Sequence, residues 1–313
     1  MSGIGLVLSG LALVAFPGLL RPLGRRLSPR RWARLCAAAL TSGAAVFEFG
    51  LILYAAPTVL SAVGVPALAS ACERMISGIA PGGTVAGWVA AGLALVAAGL
   101  GSASLARGHQ IRRLARVEPW LGEHQVLGSH DLVTLATEEP MALSVKGNPG
   151  QVIVSSGLVA AIGPEELCAV IAHEVAHLDH AHERYLAMAG AVRGGLIFFP
   201  LARRSVATLV VALERWADEV AVAAIPDGRD RLHRALLSVT ASMVGAELAL
   251  FSGADTVVER LEALEAVQPS LKVGSLGLLY SPALAVGIAV AAGLGAWISN
   301  LQMLLQMAGR CPL

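Results

Sequence analysis

The sequence predicts a mostly α-helical membrane protein: four transmembrane helices, with a cytoplasmic α+β domain between the third and the fourth. Three observations carry that reading. Of 313 residues, 56% are hydrophobic, and the mean hydropathy of +0.68 is too high for a soluble chain of this length. Only 14% are charged, against roughly 25% in average globular proteins. The apolar residues are also gathered into a few long runs, with arginines grouped between them.

The first run spans about Gly3 to Leu20 without a charge. It differs from a signal peptide because its basic residues follow it and no A-x-A-like site closes it, so it reads as a retained helix. The second spans about Trp32 to Val63 with one acid, Glu48, in its middle. The third, Thr84 to Ala106, is rich in Gly and Ala, and the fourth covers about Leu276 to Leu305. Each holds about 20 apolar residues, enough to cross roughly 30 Å of hydrocarbon as a helix.

Orientation follows from the arginines. Arg21, Arg25, Arg26, Arg30, Arg31 and Arg34 lie between the first two runs, and Arg107, Arg112, Arg113 and Arg116 follow the third. The link between runs two and three holds only Glu73 and Arg74. Positive-inside bias then places the first link and residues 107–274 in the cytoplasm, with both termini outside. The expected organisation is a membrane domain at 1–106, a soluble domain at 107–274, and a last span with a short outer tail at 275–313. No basic patch interleaved with aromatics suggests nucleic-acid binding. The partners implied are the lipid bilayer and a protein or peptide substrate, and the oligomeric state is open.

Within the soluble stretch, Met141–Val145 and Gln151–Ser155 are short β-leaning runs around Gly147-Asn148-Pro149-Gly150, a turn signal, and together read as a hairpin. A helix follows: Pro164 suits its first turn, and Glu165 and Glu166 suit its positive end. The apolar stretch Leu186–Leu213 is interrupted by Arg193, Pro200, Arg203 and Arg204, so neither half spans comfortably. It is expected to lie on the membrane surface or under the functional site.

That helix runs into His173-Glu174-Val175-Ala176-His177. Residues four apart on a helix share a face, so both imidazoles can ligate one Zn²⁺. Glu174 is placed to act as general base on water. The bland alternative is a surface helix that carries two histidines. A catalytic zinc wants a third protein ligand and an open position. An H-E-x-x-H-x-x-G-x-x-H pattern would require a glycine at position 180 and a histidine at position 183, but the chain has His180 and Glu183 there. The remaining common solution is a glutamate on a later helix, which Glu214-Arg215-Trp216-Ala217-Asp218 supplies. Glu214 can ligate, and Asp218, four residues on, can accept the second N–H of a ligating histidine. For Glu214 the alternative is a solvated acid.

Together with Pro164-Glu165-Glu166-Leu167 and the Gly150–Leu158 run, these motifs resemble the BlaR/MecR-type membrane metallopeptidases and, more distantly, the HtpX and CAAX-prenyl-protease group. The resemblance covers about 140–270 by motif and the spans by layout. It implies a gluzincin-type zinc peptidase domain with one Zn²⁺ on His173, His177 and Glu214, and Glu174 as the base. It also implies cleavage of a cytoplasmic or membrane-proximal protein, in repressor-based signalling or in membrane-protein quality control. The chain departs from the antibiotic sensors in ending about ten residues beyond the fourth run, without their extracellular penicillin-binding domain. A non-catalytic signalling protein with a retained zinc site is the third reading, and Glu174 argues against it.

Other residues carry weaker expectations. A substrate is expected to add as a strand to the edge near Val152–Ser156. His233 and Arg260 are candidates for stabilising an oxyanion, each with an ordinary surface role as its alternative. His180 turns off the 173/177 face, extra ligation by His180 or His182 is not expected, and His109, His124 and His130 have no partner spacing. Glu48 is either a functional intramembrane acid or a packed, hydrogen-bonded one. Cys168 reads as core. Cys72 and Cys311 are the two cysteines placed outside, so a bridge between them is open.

Overall fold

The first three apolar runs fold as helices that pack side by side. In a computed structural model of the chain, residues 3–24, 26–76, 83–118, 121–242 and 254–266 are described, and all of them lie in one compact unit, residues 2–268. Helices α1 (Gly3–Leu19), α3 (Pro29–Ala62) and α5 (Gly83–Leu114) form the apolar bundle, with the short α2 (Arg21–Gly24) and α4 (Pro66–Ile76) between them. Helices α3 and α5, of 34 and 32 residues, are long and apolar enough to cross a membrane, and α1 is a shorter apolar helix. Backbones approach closely in the bundle: a methyl on Gly43 would come within 2.8 Å of the Gly10 carbonyl. Glu48 is half-buried on α3. The expected fourth span, the 275–313 segment and Cys311 lie outside the described residues.

A four-stranded sheet follows: β1 (Glu123–Leu127), β2 (His130–Leu135), β3 (Ala142–Val145) and β4 (Gly150–Ser155), in the order β1-β2-β4-β3. The expected hairpin is present as β3 and β4, antiparallel, with Ala142 opposite Val154 and Val145 opposite Gln151. A second hairpin, β1–β2, turns at Gly128, whose φ of +62° suits glycine. Strand β2 then runs parallel to β4. Strand β4 is therefore central and buried throughout, which corrects the expected substrate edge at Val152–Ser156. Among the described residues the free edge on that side belongs to β3. Alternation along β4 explains its apolar run: Val152 and Val154 pack under the helix that follows, and Ile153 packs on the opposite face with Val117, Val133 and Val145. Gln151, facing Val117, satisfies both backbone groups of that residue at 2.9 and 3.0 Å.

Ser155 ends β4 and caps α6 (Ser156–Ala161), its Oγ accepting from the Leu158 N–H at 3.0 Å. Helix α7 (Pro164–Asp179) starts with Pro164 in its first turn, as expected, and lays Val170, Ile171, Val175 and Leu178 on the sheet. Helices α8 (His182–Gly195) and α9 (Pro200–Ala224) form a hairpin against the apolar bundle: α8 packs on α5, and α9 on α1, α3 and α7. Helices α10 (Gly228–Ser242) and α11 (Ala254–Glu265) close the far side of α7 and α9. Cys168, expected in the core, is exposed; the buried face of α7 is the one carrying Ala169, His173 and Ala176.

Candidate metal centre

Two neighbouring helices supply the donors. On α7, i,i+4 spacing stacks His173 and His177, with their Nε2 atoms 3.1 Å apart. Across from them, α9 presents Glu214, whose carboxylate oxygens lie 3.4 Å from His173 Nε2 and 3.5 Å from His177 Nε2. These three residues form a group able to hold a metal ion. The geometry fits zinc: Zn–N and Zn–O bonds of about 2.0–2.1 Å at tetrahedral angles put neighbouring donors about 3.4 Å apart. A set of two imidazoles and one carboxylate also matches the donor chemistry of a catalytic zinc site with one position left open.

The outer nitrogens of both histidines are engaged. His173, only 5% exposed, has its Nδ1 2.9 Å from Asp218 Oδ1, the pairing expected from the four-residue step between Glu214 and Asp218. His177 has its Nδ1 3.0 Å from Nδ1 of His182, which is fully buried. With His177 Nε2 turned to a metal, its Nδ1 carries the proton and donates to His182. The His182 proton then sits on Nε2, which has no hydrogen-bond partner and lies against Trp216, the ring centroids being 4.7 Å apart. Helix arithmetic missed this contact because α7 stops at Asp179. Ala181 at φ +51° turns the chain and starts α8 with His182 folded back on the site. His180 stacks on the Trp216 ring instead, at 4.9 Å, and Arg30 and Arg34 from α3 stand 5.5 and 5.6 Å from the same ring. His130, also without an expected partner, pairs with Asp179 at 3.0 Å.

Arg260, on α11, is a largely enclosed member of the site, its side chain 11% exposed. Its guanidinium grips Asp218 in a fork, Nε to Oδ2 at 2.9 Å and Nη2 to Oδ1 at 2.6 Å, and reaches Glu214 Oε2 at 3.1 Å through Nη1. Helix α11 is pinned around it by the Arg21–Glu259 ion pair and by Arg229, which donates to the Leu264 carbonyl at 2.9 Å. The other oxyanion candidate, His233, pairs with Glu265 at 3.2 Å and does not line the cleft.

The electrostatics keep the two carboxylates ionised and hold a proton on His173 that a metal would displace. Burial would raise the Glu214 and Asp218 carboxyls, but His173 and Arg260 hold both below the usual carboxylate range. Burial and the Arg260 charge push the His173 imidazole down. Its hydrogen bonds to Asp218 and Glu214, with the Asp218 charge, outweigh them and lift it to about 9. Burial lowers His177, and burial with the neighbouring imidazoles lowers His182 to about 3, so His182 is a neutral acceptor.

The site opens into a cleft of about 620 Å³. Glu174 lines it beside the histidines, and Met141 to Ser144 of the β3 edge form one wall. Leu158, Val170, Leu232, Leu236 and Val239 make an apolar floor, and at the rim Lys146 is bonded to Glu183 at 2.8 Å. The family model described as Peptidase family M48 matches residues 142–266. Neither a curated protein nor a solved structure matches the chain. The matched segment begins at β3, ends just after α11 and contains His173, Glu174, His177, His182, Glu214, Asp218 and Arg260, so this part of the chain is similar to a domain of the M48 zinc metallopeptidases.

Proposed function

We propose that the chain is a membrane-bound zinc endopeptidase that cleaves cytoplasmic or membrane-proximal polypeptides. The observation that carries this is the donor triangle of His173, His177 and Glu214 with Glu174 beside it, in a cleft walled by a strand edge. The three donors would hold one Zn²⁺, which would supply Lewis-acid polarisation of a carbonyl and lower the pKa of water to about 7. Glu174 takes the proton of the attacking water and delivers it to the leaving amine. Asp218 and His182 hold the two imidazoles with their Nε2 atoms inward, and Arg260 fixes Glu214 and Asp218. A substrate strand adds to the edge of β3 and presents its carbonyl above the triangle, with an apolar side chain on the floor.

The role implied by the resemblance is regulatory cleavage of a repressor in signalling, and quality control of membrane proteins is the alternative. An exposed, apolar α5 supports membrane attachment: the apolar part of this helix is hardly buried, and Val85, Leu95 and Val96 are open. Surfaces of that kind need lipid or a partner.

The test is metal analysis alongside cleavage of an unstructured protein substrate. Glu174→Gln should keep one zinc per chain and lose cleavage, because the base is not a ligand. His173→Ala and Glu214→Ala should lose both. Stoichiometric zinc in the double ligand deletion would sink the assignment.

A further inference from the structure

The α8–α9 hairpin is longer than the metal centre requires. Its two arms both start from the centre, His182 opening α8 and Glu214 lying in α9, and both lead away from it to a turn at residues 196–199. At about 1.5 Å per residue, each arm is about 20 Å long. We propose that this hairpin is a re-entrant membrane element whose Ile197–Phe198 tip sits in bilayer hydrocarbon; the proposal rests on the membrane-bound reading above.

Four observations support it. The chain from Gly194 to Ala202 carries no charge, and at its turn Ile197 is 50% and Phe198 88% exposed. Next, the turn end of the hairpin docks on the middle of α5. A methyl on Gly195 would meet the Ala97 carbonyl at 2.9 Å, one on Gly194 the Leu100 carbonyl at 3.0 Å, and one on Gly101 the Ala191 carbonyl at 3.3 Å. Ala97 lies ten residues before Arg107, about 15 Å along the helix, which is half of a roughly 30 Å hydrocarbon layer. Third, this stretch of α5 has Leu93, Leu95, Val96 and Leu100 exposed, so the tip continues an apolar surface that already faces lipid. Finally, the charges sit where such an element tolerates them. Arg193, Arg203 and Arg204 flank the uncharged stretch and are exposed, and Arg204 and Ser205 are level with Gly18, whose N–H donates to Ser205 Oγ at 2.9 Å. Three residues on from Gly18, Arg21 begins the basic link. Long arginine side chains at that level reach the headgroups while their stems stay apolar.

The consequence is a fixed height for the metal centre. With the tip in hydrocarbon and arms of about 20 Å, the donors stand near the headgroups. There Arg30 and Arg34 face Trp216, two residues from Glu214. The peptide bonds in reach are those close to where a substrate leaves the membrane.

Spin labels in the full chain, reconstituted in phospholipid vesicles with the native cysteines replaced by alanine, test this. Labels go on Phe198→Cys, on Leu95→Cys of α5 and on Leu143→Cys of the cleft wall, and relaxation by oxygen is compared with relaxation by a water-soluble nickel chelate. The expected oxygen-to-nickel ratio at 198 equals that at 95 and exceeds that at 143 several-fold. A lipid-like 95 with a water-like 198 overturns the re-entrant hairpin and leaves the membrane reading standing. A label at 198 shielded from both reagents also overturns it, since another protein surface then covers the tip. Water-like ratios at both 95 and 198 overturn the hairpin and the membrane reading together.

Discussion

At the scale of single residues, the centre depends on which nitrogen of each histidine faces inward. Asp218 settles this for His173, being only 4% exposed and itself gripped by Arg260. Asp218→Asn keeps the shape but can present its amide N–H₂ to His173, so the wrong tautomer competes. Removal of such a partner typically lowers metal affinity or activity about 10- to 100-fold, and chelator competition with zinc should show a loss in that range without unfolding. For His177 the partner is His182. His182→Ala leaves the His177 Nδ1 proton buried and unpaired, so a similar loss of zinc affinity is expected, with a shifted d–d spectrum in the cobalt-substituted protein. His182→Gln offers an acceptor oxygen and should recover part of it; equal loss in both variants would mean that acceptance from His177 is not what His182 contributes. The sequence made Asp218 readable and hid His182 for one reason. Spacing arithmetic holds within a helix, as from His173 to His177 or from Glu214 to Asp218, and fails across the left-handed Ala181. Arg260 is legible as a candidate, but its place inside the site is not, because its partner lies 42 residues away on another helix.

At the scale of elements, what was legible was the local pattern: the turn before Gly150, the start of α7 at Pro164, and the long apolar helices. The order of the strands was not, since it depends on pairing over distance. Strand β1 is mostly exposed and β2 only half-buried, so neither shows the apolar alternation that would announce a strand. Without them β4 looks like an edge, whereas β2 covers one side of it and β3 the other. The edge left for a substrate follows from the ladder. Ser155 N–H donates to the Met141 carbonyl at 3.0 Å, so pairing alternates and the backbone groups of Ala142 and Ser144 point away from β4. Ser144→Pro removes one outward N–H without breaking a ladder bond, a change edge strands tolerate. It should leave zinc content unchanged and lower kcat/KM on a peptide substrate roughly tenfold, the loss of one hydrogen bond of about 1 kcal/mol plus crowding. Unchanged kcat/KM would place the substrate elsewhere.

At the scale of the whole molecule, the membrane-bound reading poses the question of which side the cleft faces. Two facts about the described residues bear on it together. The helices α3 and α5 carry apolar surface that water does not suit, with Ile52, Trp88 and Leu95 among the exposed side chains. The centre also lies at the end of the bundle marked by arginines, since Trp216 in α9 faces Arg30 and Arg34 at the start of α3. Arg107, Arg112 and Arg113 close α5 on its way to the sheet. If arginine-rich links stay in the cytoplasm, the cleft is cytoplasmic. The same rule puts the 64–83 link outside, because it carries one acid and one arginine. Topology reporters fused after residues 25, 75 and 150 and at the C-terminus should then read in, out, in and out. The reading at 150 matters most, because that junction lies at the start of β4, in the sheet whose β3 edge walls the cleft. An external signal there would invert the topology and remove every cytoplasmic substrate, while the proposed metal site of His173, His177 and Glu214 would not be touched.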